Sequence, residues 1–201
     1  MSSEEMYVVA GIDLAGSEKR STGMAFLRDR EVLDVKIVHT DDEIVNGLLK
    51  VRPTVIGIDA PLSIPKGRKS IDDPDGPHFR SCDLELRRRG IRFFPITLGP
   101  MRKLTNRGIR IKEELTKLNF KVFEVYPGAT QDILGIPRKT KGVEELRRGL
   151  IRIGLKNLKK GMTGDELDAV TAALTVQFFL EGKGELIGDE EEGLMLLPKG
   201  D

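Results

Sequence analysis

Tryptophan is absent from this 201-residue chain, and cysteine and histidine are scarce: one Cys82, and two histidines, His39 and His78. A single thiol cannot close an internal disulfide, so the core must hold the fold, and a reducing, cytoplasmic setting is expected. Neither histidine has a ligand-like neighbour, which excludes a zinc centre of the His/Cys kind. No apolar run approaches the length needed to cross a bilayer, and the polar start MSSEEMY lacks the apolar stretch of a signal peptide, so no membrane partner is expected. Neither sign of charge dominates, with 33 Lys and Arg against 32 Asp and Glu. The length suits one well-filled core and is short for two, so a single domain spanning 1–201 is expected.

The balanced total hides an uneven distribution. Between residues 66 and 112 there are 13 Lys and Arg against 5 Asp and Glu, whereas residues 181–201 hold 7 acids and 2 bases. The basic stretch suits a phosphate backbone and the acidic end would be repelled by one; solvated helix faces account for such runs equally well.

The order of elements is legible. YVVAGID (7–13) is an apolar run ending in a carboxylate, as in a buried central strand. STGMAFL (21–27) and the alternating EVLDVKIV (31–38) follow across a polar turn, which predicts an antiparallel meander with the third strand more outlying than the first. Thr40 and Glu43 form a capping box ahead of the stripe Ile44, Val45, Leu48 and Leu49, and Pro53 ends that helix. TVIGID (54–59) is a second buried strand ending in Asp, and the intervening helix makes the connection a right-handed crossover. Residues 64–79, rich in Pro, Gly, Asp and Lys, read as a long mobile loop. Helices are expected at 81–89 and 101–118, a strand at 120–127, helices near 142–158 and 164–180, and a short extra strand at 193–198.

Three strands thus end in or near an acid: Asp13, Asp59 and Glu124. If these strands are parallel neighbours, the acids share one edge of the sheet, where ligands of open α/β sheets sit. Thr163 and Glu166 form a second capping box, so Asp165 and Asp168 project from one face of the first turns of a late helix. Ala169, Ala172, Ala173 and Val176 continue that face as a small-residue stripe that lets the helix lie close to the sheet. Asp165 in a first turn also complements the helix dipole, and Asp13 and Asp59 after strands also form turns, whereas Asp168, deeper on an otherwise apolar helix, needs an Arg, a Lys or a metal. Together, clustered carboxylates must be neutralised by protons or cations, and hard oxygen donors suit Mg²⁺ or Mn²⁺. Two such ions about 4 Å apart serve phosphodiester hydrolysis.

GIDLAGSEKRSTG (11–23), IGIDAPLS (56–63), RSCDLELRRRGIRFFP (80–95), EVYPGA (124–129) and DELDAVTAAL (165–174) together resemble the family called domain of unknown function 429, described as predicted nucleases of the ribonuclease H-like fold. The resemblance implies an α/β fold with a mixed five-stranded sheet flanked by helices and a helical insertion at 64–118 after the fourth strand. The acid pattern is also similar to that of Holliday-junction resolvases of the RuvC type, which carry a first-strand Asp, a fourth-strand acid and a D-x-x-D-A pair. That likeness gives Asp13, Asp59, Asp165 and Asp168 the metal; Asp59 stands where the resolvases usually have Glu. Glu124 is a further candidate ligand or water-orienting base. Arg87, Arg88 and Arg92 are candidates for phosphate contact, and Arg80 either joins them in lining the pocket or pairs with Asp83. Nucleic acid, DNA or RNA alike, is the expected partner. Two other classes fit the residues: an actin-like phosphotransferase using Gly11-Ile12-Asp13 with Gly16-Ser17 as a phosphate turn, though such enzymes need two domains, and a non-catalytic interaction protein keeping the acids for structure.

Overall fold

The fold was analysed in a computed structural model that describes residues 7–200. Seven strands form one mixed sheet: β1 (Val9–Asp13), β2 (Thr22–Arg28), β3 (Glu31–Val38), β4 (Val55–Asp59), β5 (Val122–Val125), β6 (Gly184–Asp189) and β7 (Gly193–Pro198), ordered β3-β2-β1-β4-β5-β7-β6. The first three make the expected antiparallel meander, and β1, β4 and β5 are parallel neighbours. The helices are α1 (Asp41–Val51), α2 (Ser81–Arg88), α3 (Gly99–Lys117), α4 (Pro127–Ile133), α5 (Val143–Arg152) and α6 (Gly164–Leu180).

Alternation along the strands sorts their side chains onto two faces. Val9, Val55, Val125 and Leu196 meet α6 on one face; Ala10, Ile12, Ile56 and Ile58 meet Ile44 and Leu48 of α1 and Ile111 and Leu115 of α3 on the other. Both capping boxes are present, with Thr40 Oγ1 accepting from Glu43 N at 3.1 Å and Thr163 Oγ1 from Glu166 N at 3.2 Å. Thr163 therefore sets where α6 starts, and so which residues lie in its first turns.

The closeness of α6 to the sheet has two sources, and only the alanine stripe was expected. The sheet supplies glycines opposite it. A Cβ on Gly11 would stand 2.0 Å from the carbonyl oxygen of Ala169, and one on Gly23 would stand 2.1 Å from that of Asp165. Both are distances at which backbone would have to shift. Backbone thus lies on backbone along the first half of α6, which carries its acidic start to the carboxyl ends of β1 and β4.

Three expectations are corrected. The sheet has seven strands rather than five, because residues 184–198, expected to give one short strand, form a β6–β7 hairpin that extends β5 outward. Residues 127–133 are a helix, not the end of a strand; Pro127 occupies the first helical turn, where its missing N–H costs nothing. The helix expected at 142–158 stops at Arg152, followed by Gly154 at φ +101°. Residues 64–79 form the expected loop, which folds around its own Arg68. That side chain is 8% exposed and donates to the carbonyls of Pro77 (2.6 Å), Asp73 (2.8 Å), Ile71 (3.3 Å) and Gly76 (3.3 Å).

Candidate active site

Asp13 and Asp59 are register partners at the ends of β1 and β4, strands about 4.8 Å apart. Both point to the α6 face, and the first turns of α6 bring Asp165 and Asp168 to the same place. What joins three of these acids is a residue the sequence reading passed over. Lys139, in the single 3₁₀ turn Lys139–Lys141 between α4 and α5, sets its Nζ 3.1 Å from Asp13 Oδ2, 3.1 Å from Asp165 Oδ1 and 2.9 Å from Asp168 Oδ2. Asp168 is fixed further by Gln131 Nε2, which donates to its Oδ1 at 2.7 Å, and Asp165 by Ser21 Oγ at 3.0 Å. Asp59 accepts no hydrogen bond and joins no ion pair among the described residues.

One ammonium cannot balance four carboxylates. Burial, opposed by the attraction of Lys139 and reinforced by Asp168 and Asp165, pushes the Asp13 carboxyl up to about 7. Burial first, then repulsion from Asp13 and Asp168, holds Asp59 well above the usual carboxylate range. Burial pulls the Lys139 ammonium down, but Asp13 and Asp168 outweigh it, so the lysine stays protonated.

Glu124 shares the edge but not the face. It pairs in register with Ile58, so alternation roots it on the opposite face from Asp13 and Asp59, although its side chain still lines the cavity that Asp59 and Asp168 reach. It is occupied there: its Oε1 accepts from Arg80 Nη2 at 2.7 Å, and its Oε2 from Arg80 Nη1 and from Leu62 N, each at 2.7 Å. Arg80, a candidate for substrate contact, is 1% exposed and also holds Asp83 at 2.9 Å. Arg80 thus pairs with Asp83, and both residues also line the cavity that Asp59 and Asp168 reach. The other arginines divide. Arg88 is exposed and paired with Glu85 at 2.7 Å. Arg87 lies over the Phe79 ring at 5.0 Å. Arg92 is exposed and has no ion pair among the described residues. Three of the thirteen basic residues at 66–112 are internal: Arg68, Arg80 and Arg107 are buried, and Arg107 holds Asp41 at 2.8 Å together with the carbonyls of Ala15 and His39.

Among the described residues no group of three His, Cys, Asp or Glu side chains stands in metal-holding geometry. The physical reason is Lys139, whose Nζ takes the point on which Asp13, Asp165 and Asp168 converge. The donor chemistry nevertheless fits a hard divalent cation: hard oxygens already converge on one cation, Asp59 lacks a partner, and the cluster is short of positive charge.

That shortage predicts an unusual pH dependence. Asp13 and Asp59 bind protons more tightly folded than unfolded, where their pKa is about 3.9. Stability from this site is therefore full at low pH and is lost as pH rises through the folded values. Carboxylates with lowered pKa, such as Glu144 beside Arg147 and Glu192 under the Ser81 and Lys66 backbone N–H groups, act in the opposite sense but below about pH 4.5. In EDTA, Tm should fall by roughly 5 °C between pH 5 and pH 8. A Tm constant or rising across that window would show that the cluster carries no excess negative charge.

A family model described as "Protein of unknown function (DUF429)" matches residues 11–193. No curated protein matches the chain. Among solved structures, the chain is similar to Thermus thermophilus RuvC in complex with Holliday junction substrate, at 16% identity and a TM-score of 0.54, covering 87% of this chain and 96% of that one. A second structure of Thermus thermophilus RuvC matches at 14% identity and a TM-score of 0.49, covering 87% and 96% of the two chains. The first likeness shows the fold: the sheet and its flanking helices are ribonuclease H-like.

Proposed function

The chain belongs to the DUF429 family, and from that premise we propose that it is a divalent-metal-dependent nuclease that hydrolyses phosphodiester bonds at the cluster of Asp13, Asp59, Asp165 and Asp168. The observation that carries the reading is the convergence of three of these acids on one cationic point, Lys139 Nζ, at 2.9–3.1 Å, with the unpartnered Asp59 beside them. The similarity to RuvC in complex with a Holliday junction supports nucleic acid as the substrate class.

Asp13, Asp59 and Asp168, with Asp165 at the exposed edge, would hold Mg²⁺ or Mn²⁺, which supplies charge neutralisation and Lewis acidity at the phosphate when bound. Gln131 orients Asp168 by its 2.7 Å hydrogen bond. Lys139 is the internal counter-ion that keeps the acids together without metal, and at 36% side-chain exposure it can swing outward. Arg87 and Arg92 offer exposed positive charge to the phosphates. Glu124 acts indirectly: pinned by Arg80, it fixes the β4–β5 edge on which Asp59 sits. A cytoplasmic location accords with this reading.

The test is incubation with single-stranded, duplex, hybrid and four-way-junction DNA and RNA in EDTA, Mg²⁺ or Mn²⁺. Cleavage of at least one substrate only with added metal is the expected result. Absence of cleavage across the panel, or cleavage undiminished in EDTA, would remove the reading.

A further inference from the structure

The acids do not lie on an open surface. Asp59 and Asp168 form part of the wall of a cavity of about 300 Å³, whose other walls are chiefly apolar and come from the insertion, the end of β5 and α4. Hydrolysis of a sugar–phosphate backbone needs no such chamber, so the cavity calls for an apolar part of the substrate. Tyr126 forms a rigid wall: its hydroxyl donates to the Arg92 carbonyl at 2.6 Å and accepts from Arg138 Nη1 at 2.9 Å. Phe93 stands edge-on to Phe79 at 6.0 Å. Phe94 also lines the cavity yet is 71% exposed, a large aromatic ring left at the rim.

A polar group at the acid end narrows the ligand further. Gln131 lines the cavity and is 1% exposed. Its Nε2 donates to Asp168 Oδ1 at 2.7 Å and to Thr171 Oγ1 at 3.3 Å. A carboxylate only accepts, so this contact fixes which end of the amide is nitrogen. Gln131 Oε1 is left with no hydrogen-bond partner among the described residues. Arg80 with Asp83 and Glu124, and Arg138 and Lys139, also line it, each already in an ion pair. The cavity thus combines aromatic walls, an exposed ring for stacking, a free amide acceptor at Gln131 and adjacent phosphate chemistry.

We propose that this cavity receives an unstacked nucleobase of the strand being cut, so that the substrate class is nucleic acid with unpaired nucleotides rather than continuous duplex. The inference rests on the nuclease reading for the position of the phosphate. Phe94 stacks on the base, Tyr126 and Phe93 enclose it, and Gln131 Oε1 accepts from an amino group on its edge. A base held in a stacked pair cannot reach these groups, which is how the site would discriminate.

The experiment is equilibrium binding in EDTA at pH 6, using oligonucleotides with 2-aminopurine in a single strand, as a one-nucleotide bulge, or fully paired, in DNA and RNA. The bulged and single-stranded probes should bind about tenfold more tightly than the paired one, with quenched fluorescence, and Phe94→Ala should abolish that preference while Phe94→Trp keeps it. Phe94 is too exposed for its truncation to unfold the chain, and circular dichroism of the variant checks this. Equal affinity for all three probes, or a preference untouched by Phe94→Ala, overturns the inference. Cleavage is scored separately. Selective binding without cleavage keeps the cavity and rejects the nuclease, and cleavage without selectivity does the reverse.

Discussion

Replacing Arg80 by methionine is expected to cost the fold about 3–5 kcal/mol, read by urea unfolding as a lower midpoint at unchanged slope. Arg80 is 1% exposed, Asp83 2% and Glu124 5%, so the three charges are held away from water. The guanidinium spends every nitrogen on them: Nε on Asp83 Oδ2 at 3.1 Å, Nη2 on Asp83 and Glu124, Nη1 on Glu124 and, at 3.1 Å, Ser63 Oγ. Methionine fills similar space but leaves two buried carboxylates with no counter-ion, so they must take up protons or open the site to water. Lysine should not rescue, because it lacks the planar fork that serves both carboxylates at once. The network ties α2 to β5 and, through Leu62 N, to the chain leaving β4. Lost cleavage in Arg80→Met should therefore follow lost structure. A cost below about 1 kcal/mol would place these charges in the class of exposed pairs, against the burial described above.

Two substitutions in the acid cluster should act in opposite directions on metal binding. Asp168→Asn is expected to lower metal-dependent cleavage by about 10³-fold, equivalent to roughly 4 kcal/mol of transition-state stabilisation, and to remove the rise in Tm that Mn²⁺ is expected to give the unmodified protein. Asparagine keeps the size and can still meet Lys139, so loss of the charged donor is what is tested. Lys139→Met should instead tighten Mn²⁺ binding about tenfold, or roughly 1.4 kcal/mol, measured by calorimetry. It removes the cation with which the metal competes, at 2.9–3.1 Å from three acids. The metal-free protein should lose stability in the same variant, because the carboxylates then have no positive neighbour. Mn²⁺ affinity weakened by Lys139→Met, or cleavage preserved in Asp168→Asn, would mean that the acids and the lysine form a structural ion cluster.

The legible parts of this molecule are those governed by neighbours close in sequence. The apolar runs ending at Asp13 and Asp59 mark buried strands because a half- or fully buried strand needs that pattern whatever its partners. Thr40 and Thr163 mark helix starts because a capping box closes within four residues. Where a local signal was ambiguous, the reading failed. Pro127 ends a strand and opens a helix with equal propriety, and the glycines of the β6–β7 hairpin, among clustered acids, look like the punctuation of a tail.

Sequence by itself determined the parallel core, the placement of Asp13 and Asp59 at its edge, and the arrival of Asp165 and Asp168 on one helix, since period, capping and side-chain size are short-range properties. Only the tertiary structure decided which cation answers those acids, that Glu124 faces the other way, and that Arg80 serves the interior rather than the surface. Lys139 meets Asp13 across 126 residues and Arg80 meets Glu124 across 44. A charge's role depends on what surrounds it after folding, because burial and proximity set its energy, and neither is written in the residues beside it.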